Sequence, residues 1–509
     1  MLVFQNPDFL PMIFFMMLVV SVLSGLILLL PKVPLNFIRI HTVILLLPII
    51  CALLALIFCN KSINFGPWYL DTLSWLLALF VLTISFIVQS YCVHYLLGEK
   101  SYRSYFALLT ITTAADSLAW LSNDLRILLI CWGVTLLGLT LLIGLKKEWQ
   151  VARNASALSG RFFALSWIIL LFVVIWLTQA TGYWKLSMVL SNNSLAQLDS
   201  WEKSCISLLF IVAVIIPAAQ WPFHGWLLDS VIAPTPISAV MHAGIVNAGG
   251  IMLTRFSPLF SGDAAQIVLL VLSGFSVLMG TGIMLVQVDY KRQLVGSTIA
   301  QMGFMLIQCA LGAYWAAIIH AVLHGIFKAT LFLQAGSAVH HQKSIVRTTQ
   351  PSSLLWTIVG IILAFLLGIV FWWTSPRDGY HLINTLILGW SVLLSWRQLV
   401  ANENGRIGRI AGLTLFAGAA FVFSIVHSAF FKLLQESIQI QTEPPTMATI
   451  LALFILLVGI ALGLLRVRYR SSVFFTVIYL WLLRLSEPKS NFFESHPKYL
   501  TRLMSQGGK

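Results

Sequence analysis

Charge is what this sequence has least of: Asp, Glu, Lys and Arg together make up 9% of its 509 residues, where soluble domains carry roughly 25%. That scarcity excludes an ordinary soluble globule. Cysteine is also sparse. The six (Cys51, Cys59, Cys92, Cys131, Cys205, Cys309) lie scattered in apolar segments with no CxxC pair, so neither an iron–sulfur cluster nor a disulfide framework is signalled. No phosphate-binding loop, dinucleotide fingerprint or HExxH pattern occurs, and no metal or cofactor is called for. Period-2 alternation is missing as well, which removes a membrane barrel and leaves helices as the spanning structure. The net charge is +14. With no basic patch interleaved with exposed aromatics, nucleic acid is not an expected partner.

What fills the chain instead is apolar: 59% of residues are hydrophobic, in runs of about 20 that are each long enough to cross a hydrocarbon core. The reading is all-α, a polytopic protein in the lipid bilayer with about fifteen transmembrane helices. The expected spans are Leu10–Leu30, Phe37–Phe58, Leu73–Val93, Tyr105–Leu121, Ile127–Gly144, Phe162–Tyr183, Ile206–Trp226, Ile237–Arg255 and Ile267–Val286. Leu294–Leu311, Trp315–Val339, Leu354–Trp373, Leu382–Leu399, Ile410–Leu434 and Met447–Leu465 follow. Cations collect in alternate loops: Lys32; Lys100 and Arg103; Lys146, Lys147, Arg153 and Arg161; Lys291 and Arg292; Lys343 and Arg347; Arg406 and Arg409; Arg466, Arg468 and Arg470. The positive-inside rule then puts the N-terminus outside and the C-terminus in the cytoplasm. The first apolar stretch has no cation before it and reads as a first helix rather than a signal peptide. Val473–Leu483 is too short to span and reads as an interfacial helix. The tail Ser486–Lys509 is polar.

Polar groups inside such spans are functional candidates, because a charge at the bilayer centre costs at least about 2.5–3.5 kcal/mol. Lys328 stands mid-span in His320-Ala-Val-Leu-His324-Gly-Ile-Phe-Lys328. The i, i+4, i+8 spacing makes one polar stripe on a helix. Imidazoles change charge near physiological pH, so the stripe can pass protons along bound water. The bland alternative is hydrogen bonding between helices. Gln220-Trp221-Pro222-Phe223-His224 and Ala233-Pro234-Thr235-Pro236-Ile237-Ser238-Ala239-Val240-Met241-His242 form the second feature. Pro217 and Pro222 remove backbone donors inside an apolar segment, which predicts a broken helix of the kind that lines an ion path, with His224 and His242 beside it. Asp289 and Lys291 mark a cytoplasmic mouth or simply a membrane boundary. Asp116 is either a buried ion-path carboxylate or a residue near a membrane edge, and Arg397 is placed to snorkel.

These motifs resemble the proton-conducting membrane subunit family, which includes the antiporter-like subunits of complex I and the Mrp-type cation/proton antiporters. The resemblance rests on Gln220–Ala248, on Tyr290-Lys291-Arg292-Gln293-Leu294 through Gly303, and on His320–Leu333, in order over roughly Ala114–Ala338. It implies two inverted five-helix repeats, each with a discontinuous helix. The domains would be 1–104 (N-terminal helices), 105–256 and 257–400 (the repeats), 401–470 (C-terminal helices) and 471–509 (interfacial helix and tail). Departures from the family pattern are informative. Trp132-Gly133-Val134 lacks the glutamate of the complex I subunits, Pro217 stands where the family has its broken-helix lysine, and Leu354–Trp373 carries no charge. The long lateral helix of the largest complex I subunit is not seen. This mixture looks like the membrane subunit of DabA/DabB-type inorganic carbon accumulation systems of the bacterial cell membrane. The resemblance implies a path for protons or sodium ions and a large peripheral zinc-binding DabA-like partner with a carbonic-anhydrase-like site. It leaves open a proton-pumping subunit of NADH:quinone oxidoreductase or an Mrp-type antiporter.

Overall fold

The computed structural model describes residues 9–59, 62–260, 264–337, 354–374, 381–396, 400, 406–435, 437–438, 446–468 and 472–487. Arg397, the loop cations Lys343, Arg347 and Arg470, and the tail beyond Glu487 lie outside them.

The chain opens with α1 (Phe9–Ile27), α2 (Phe37–Ile44) and α3 (Leu46–Phe58). The expected second span is this α2–α3 pair, parted at Leu45. Pro48, in the first turn of α3, has no N–H to return to the Ile44 carbonyl. A short antiparallel hairpin, β1 (Ile63–Phe65) and β2 (Trp68–Leu70), turns at Gly66, whose φ of 59° suits glycine. Asp71 then caps α4 (Thr72–Tyr95), its carboxylate accepting from Ser74 N at 2.8 Å. After α5 (Tyr102–Leu121), Asp124 caps α6 (Leu125–Ile143). Asp124 accepts from the Arg126 backbone N–H and guanidinium at 2.7 to 3.0 Å, and that guanidinium holds its carboxyl below the usual carboxylate range. α7 (Gln150–Thr181) is 32 residues long and ends at Gly182 in the left-handed conformation.

Two single turns, α8 (Leu186–Val189) and α9 (Asn192–Leu195), lead to α10 (Ser200–Ile215), which opens on an Asp199/Glu202 capping box. Then come α11 (Gly225–Asp229), α12 (Thr235–Ala243), α13 (Ala248–Arg255), α14 (Ala264–Val286), α15 (Tyr290–Ala310) and α16 (Tyr314–Ser337). The last helices are α17 (Leu354–Thr374), α18 (His381–Trp396), α19 (Arg406–Leu434), α20 (Thr446–Arg468) and α21 (Val473–Ser486).

Among the described residues, ten helices are long and apolar enough to cross a membrane: α1, the α2–α3 pair, α4, α6, α7, the α12–α13 pair, α14, α16, α17 and α19. The remaining expected spans are helices that fall short by polarity or length. α5 is made more polar by Asp116 and its threonines and serines, and α15 by Gln293, Gln301 and Gln308. α10 stops at Ile215 instead of reaching Trp226, because Pro217 and Pro222 follow. Over the described residues α18 and α20 offer the shorter apolar stretches Leu382–Leu393 and Thr446–Leu462.

Small residues set the contact between α14 and α15. A Cβ on Gly296 of α15 would lie 2.7 Å from Met284 N of α14, and one on Gly280 of α14 would lie 2.6 Å from Ala300 N of α15. Only glycine allows backbones to approach so closely. The interior is centred on α4, α6 and the α12–α16 segment, while α17 and α19 expose most of their side chains, as lipid-facing helices do. α21 packs along α14, with Leu482 against Gly282 and Gln287 hydrogen-bonded to Ser486.

Candidate functional site

Two helix breaks make the site. The first follows α10. Pro217 cannot continue the helical ladder, and Ala219 takes a left-handed φ of 52°, a conformation costing roughly 1–2 kcal/mol for a residue with a Cβ. It is held by Gln220 N donating to Ile215 O at 3.0 Å. The Ile216 carbonyl accepts from Ala219 N at 3.0 Å and from Trp226 Nε1 at 2.8 Å. Gln220 is fully buried and donates through Nε2 to Ala218 O and Ile299 O.

The second break, Gly244 to Asn247, splits α12 from α13. The Asn247 amide donates to Ala243 O at 2.6 Å and to Ala321 O of α16 at 3.1 Å. One side chain thus serves a carbonyl freed by the break and ties it to the next helix. His242 sits two residues before the break. Its Nδ1 is 3.0 Å from Thr298 Oγ1 of α15, and its ring stacks on Phe332 of α16 with centroids 4.3 Å apart.

Against these breaks α16 presents the expected stripe, and the stripe faces α15. His320 Nδ1 lies 3.3 Å from Gln308 Oε1. The His320 and His324 rings are 6.0 Å apart, and both ring nitrogens of His324 are buried without a hydrogen-bond partner. Lys328 is 1% exposed. Its Nζ donates to Leu294 O at 2.9 Å and to Ser297 Oγ. The Leu294 carbonyl also accepts from Thr298 Oγ1 at 2.9 Å. Lys328 and His242 therefore meet through Leu294 and Thr298, although they come from different helices. Gln308 to Leu294 covers about 21 Å of α15 at ~1.5 Å per residue, most of a ~30 Å hydrocarbon core.

Asp289 and Lys291 stand at the start of α15. The carboxylate accepts from Arg292 N at 2.9 Å, and Lys291 Nζ donates to Ala233 O at 3.3 Å. They lie one turn from Leu294 and so flank one end of the line. His224 is buried just ahead of α11, and no contact joins it to Lys328 or His242 among the bonds described. Asp116 lies inside α5, buried, with Oδ1 unpaired. Asp116 belongs to another helix group from the Lys328 line. No described group of three or more His, Cys, Asp or Glu side chains is arranged to hold a metal ion.

Sequence reading missed Ser297, Thr298, Gln308 and Asn247, polar residues common in apolar helices; their spacing against the α16 stripe was the available signal. It also missed the ion pair of Arg255 with Asp71. The guanidinium reaches both carboxylate oxygens at 3.0 and 3.1 Å, and also Ser74 Oγ and Trp120 O. That pair fastens α13 to the start of α4.

Residues 122–408 match the family model described as NADH:quinone oxidoreductase/Mrp antiporter, transmembrane. Residues 60–106 match the N-terminus of NADH-ubiquinone oxidoreductase (complex I) chain 5. A probable inorganic carbon transporter subunit DabB of Bacillus subtilis is 59% identical over 97% of this chain and 98% of its own length. One from Bacillus anthracis is 53% identical over the whole of both chains. Among solved structures, the Mrp complex of Dietzia sp. matches the fold with a TM-score of 0.58 at 22% identity, over 97% of this chain and 55% of that one.

Proposed function

The chain belongs to the NADH:quinone oxidoreductase/Mrp antiporter transmembrane family, in its DabB-type branch, and from that premise we propose that it is the ion-translocating subunit of an energy-coupled inorganic carbon accumulation complex. The observation that carries this reading is similarity along the full length of curated relatives named as probable inorganic carbon transporter subunits. The buried line from His320 through His324 and Lys328 to Leu294, Thr298 and His242 supports the ion-conducting part. Asp289 and Lys291 form its cytoplasmic mouth, the breaks around Pro217, Pro222 and His224 admit water beside it, and Asp116 is a further path carboxylate.

In this reading about fifteen helices cross the bacterial cell membrane, with the N-terminus outside and the C-terminus in the cytoplasm. Two inverted repeats, 105–256 and 257–400, each contribute a discontinuous helix; residues 1–104 and 401–470 flank them, and Val473–Ser486 is an interfacial helix. The chain is no enzyme by itself. A large zinc-binding partner hydrates carbon dioxide to bicarbonate, and ion flow through this chain drives that step one way. One charge crossing 100 mV releases about 2.3 kcal/mol, enough for roughly fifty-fold displacement from equilibrium.

The test is growth in air of carbonic-anhydrase-deficient bacteria carrying this chain, the partner, or both, with labelled inorganic carbon uptake measured with and without a protonophore. Rescue should need both proteins, and the uncoupler should stop uptake. Uptake that survives the uncoupler, or a matching rise in quinone-linked NADH oxidation by the membranes, overturns the proposal in favour of a respiratory subunit.

A further inference from the structure

We propose that a second proton-conducting segment, centred on His41, runs from the α1–α2 edge of the bundle to Asp116 inside it, on the opposite side of α4 from the Lys328 line. It rests on the reading of the chain as an ion-conducting subunit and gives that subunit a half-path in series with the Lys328 line, so that blocking either one stops flux.

His41 is fully buried in α2, and both its ring nitrogens are engaged. Nδ1 is 2.8 Å from Ser24 Oγ of α1. Nε2 is 3.1 Å from Thr110 Oγ1 of α5 and 3.2 Å from Gln89 Oε1 of α4. The bonds continue inward: Gln89 Nε2 donates to Ser85 Oγ at 3.1 Å and to Thr110 Oγ1 at 3.2 Å, and Ser85 Oγ pairs with Thr113 Oγ1 at 2.9 Å. Packing keeps the line close, since a Cβ on Gly25 would already lie 3.3 Å from Thr110 Cβ and 3.5 Å from His41 Cε1.

The line has a direction. It begins one turn from the end of α1 and one turn into α2. There the Arg103 guanidinium holds the carbonyls of Leu30 and Val33 in the connecting loop. Thr113 stands about 16 Å along α5 from its start at ~1.5 Å per residue, half of a ~30 Å core. Asp116 is one turn deeper, with an unpaired buried oxygen. A clamp between helices would need only that each polar group be satisfied. This line instead strings proton-exchanging groups inward to a carboxylate with one buried oxygen that lacks a hydrogen-bond partner.

Hydroxyls and imidazole both donate and accept, which proton hopping requires. A proton arriving at His41 on the Ser24 side is matched by one leaving the other ring nitrogen for Thr110 Oγ1. Thr110 passes its own hydroxyl proton onward, the ring stays neutral with its tautomer exchanged, and the last proton converts the Asp116 carboxylate to the acid. Gln89 is the exception, because its amide donates and accepts through different atoms. A water must displace it from Ser85 and Thr110, so it is the gate. The path is separate from the Lys328 line, because α4 turns Phe80, Tyr91 and Tyr95 toward α16 and α12.

The test is proton flux, driven by a potassium diffusion potential, into liposomes holding the full chain with its co-purifying partner, alongside thermal unfolding. His41→Gln and Asp116→Asn are expected to lower flux at least about tenfold with unfolding midpoints near wild type, and Thr110→Ser to keep the flux that Thr110→Val loses. His41→Gln and Thr110→Val at wild-type flux, while Lys328→Met abolishes it, would overturn this path and leave the ion-conducting reading standing. Equal loss of flux and stability in Thr110→Ser and Thr110→Val would make the line a structural clamp and also overturn it. Wild-type liposomes no leakier than empty ones would overturn the ion-conducting reading together with this path.

Discussion

Replacing Lys328 by methionine separates conduction from folding, because the structure says what the ammonium leaves behind. Its Nζ donates to Leu294 O and Ser297 Oγ. Without it Ser297 Oγ still donates to Leu294 O at 2.8 Å, and Thr298 Oγ1 still donates to the same carbonyl at 2.9 Å. No buried group is orphaned, so the loss is bounded by hydrogen bonds to a charged group, about 1.5–3 kcal/mol each. Opposing it is the cost of an ammonium in a dry interior, several kcal/mol. Methionine keeps most of the side-chain volume and opens little cavity. We therefore expect Lys328→Met to insert and unfold at or slightly above the wild-type temperature. Proton flux into liposomes should fall about a hundredfold or more, equivalent to at least ~2.7 kcal/mol of barrier, with the same loss in carbon uptake by cells. Wild-type flux in correctly inserted Lys328→Met protein would refute the path along α15 and α16.

His324→Ala should lower flux with little loss of stability, since its ring nitrogens have no protein partner; His242→Ala should lower the unfolding midpoint as well, because it loses the Phe332 stack and the Thr298 bond. Flux and thermal unfolding on the same preparations check both. Asp71→Asn leaves the Arg255 guanidinium short of its carboxylate and should destabilise by up to about 3–5 kcal/mol, the range for breaking a buried pair; an Asp71→Ala/Arg255→Met double variant should recover part of that in denaturation in detergent. Asp124 has a folded-state pKa below its unfolded value of ~3.9. Its contribution is therefore full above that value and lost as pH falls through the lower folded one, so acid unfolding of Asp124→Asn should be less steep than wild type below about pH 4.

Lys328 was legible from the sequence because a cation in an apolar run is conspicuous, and its two histidines follow at helical spacing. The family was legible from the motifs on either side of it, and residues 122–408 match that family's model. The partners of Lys328 were not legible. A backbone carbonyl and a serine on α15 leave no mark in composition, and Leu294 reads as one more apolar residue. His41 was passed over because it is a lone histidine near a span end, and its value comes from Ser24, Gln89 and Thr110 on three other helices. Arg255 and Asp71 are 184 positions apart, beyond the reach of any local pattern. The break at Gly244 was masked by high apolarity around it, whereas Pro217 and Pro222 announced theirs.

The glycine contact between α14 and α15 has a mechanical consequence. Helices whose backbones touch at Gly280 and Gly296 cannot slide past one another without prising the contact open, so the pair behaves as one stiff beam. The hydrogen-bond partners of Lys328, His242 and His320 (Leu294, Ser297, Thr298, Gln308) are mounted on that beam. If the proposed ion path makes and breaks those bonds, the movement falls to the other side, with α16 rolling and the short α12 pivoting at Gly244 while the beam stays still.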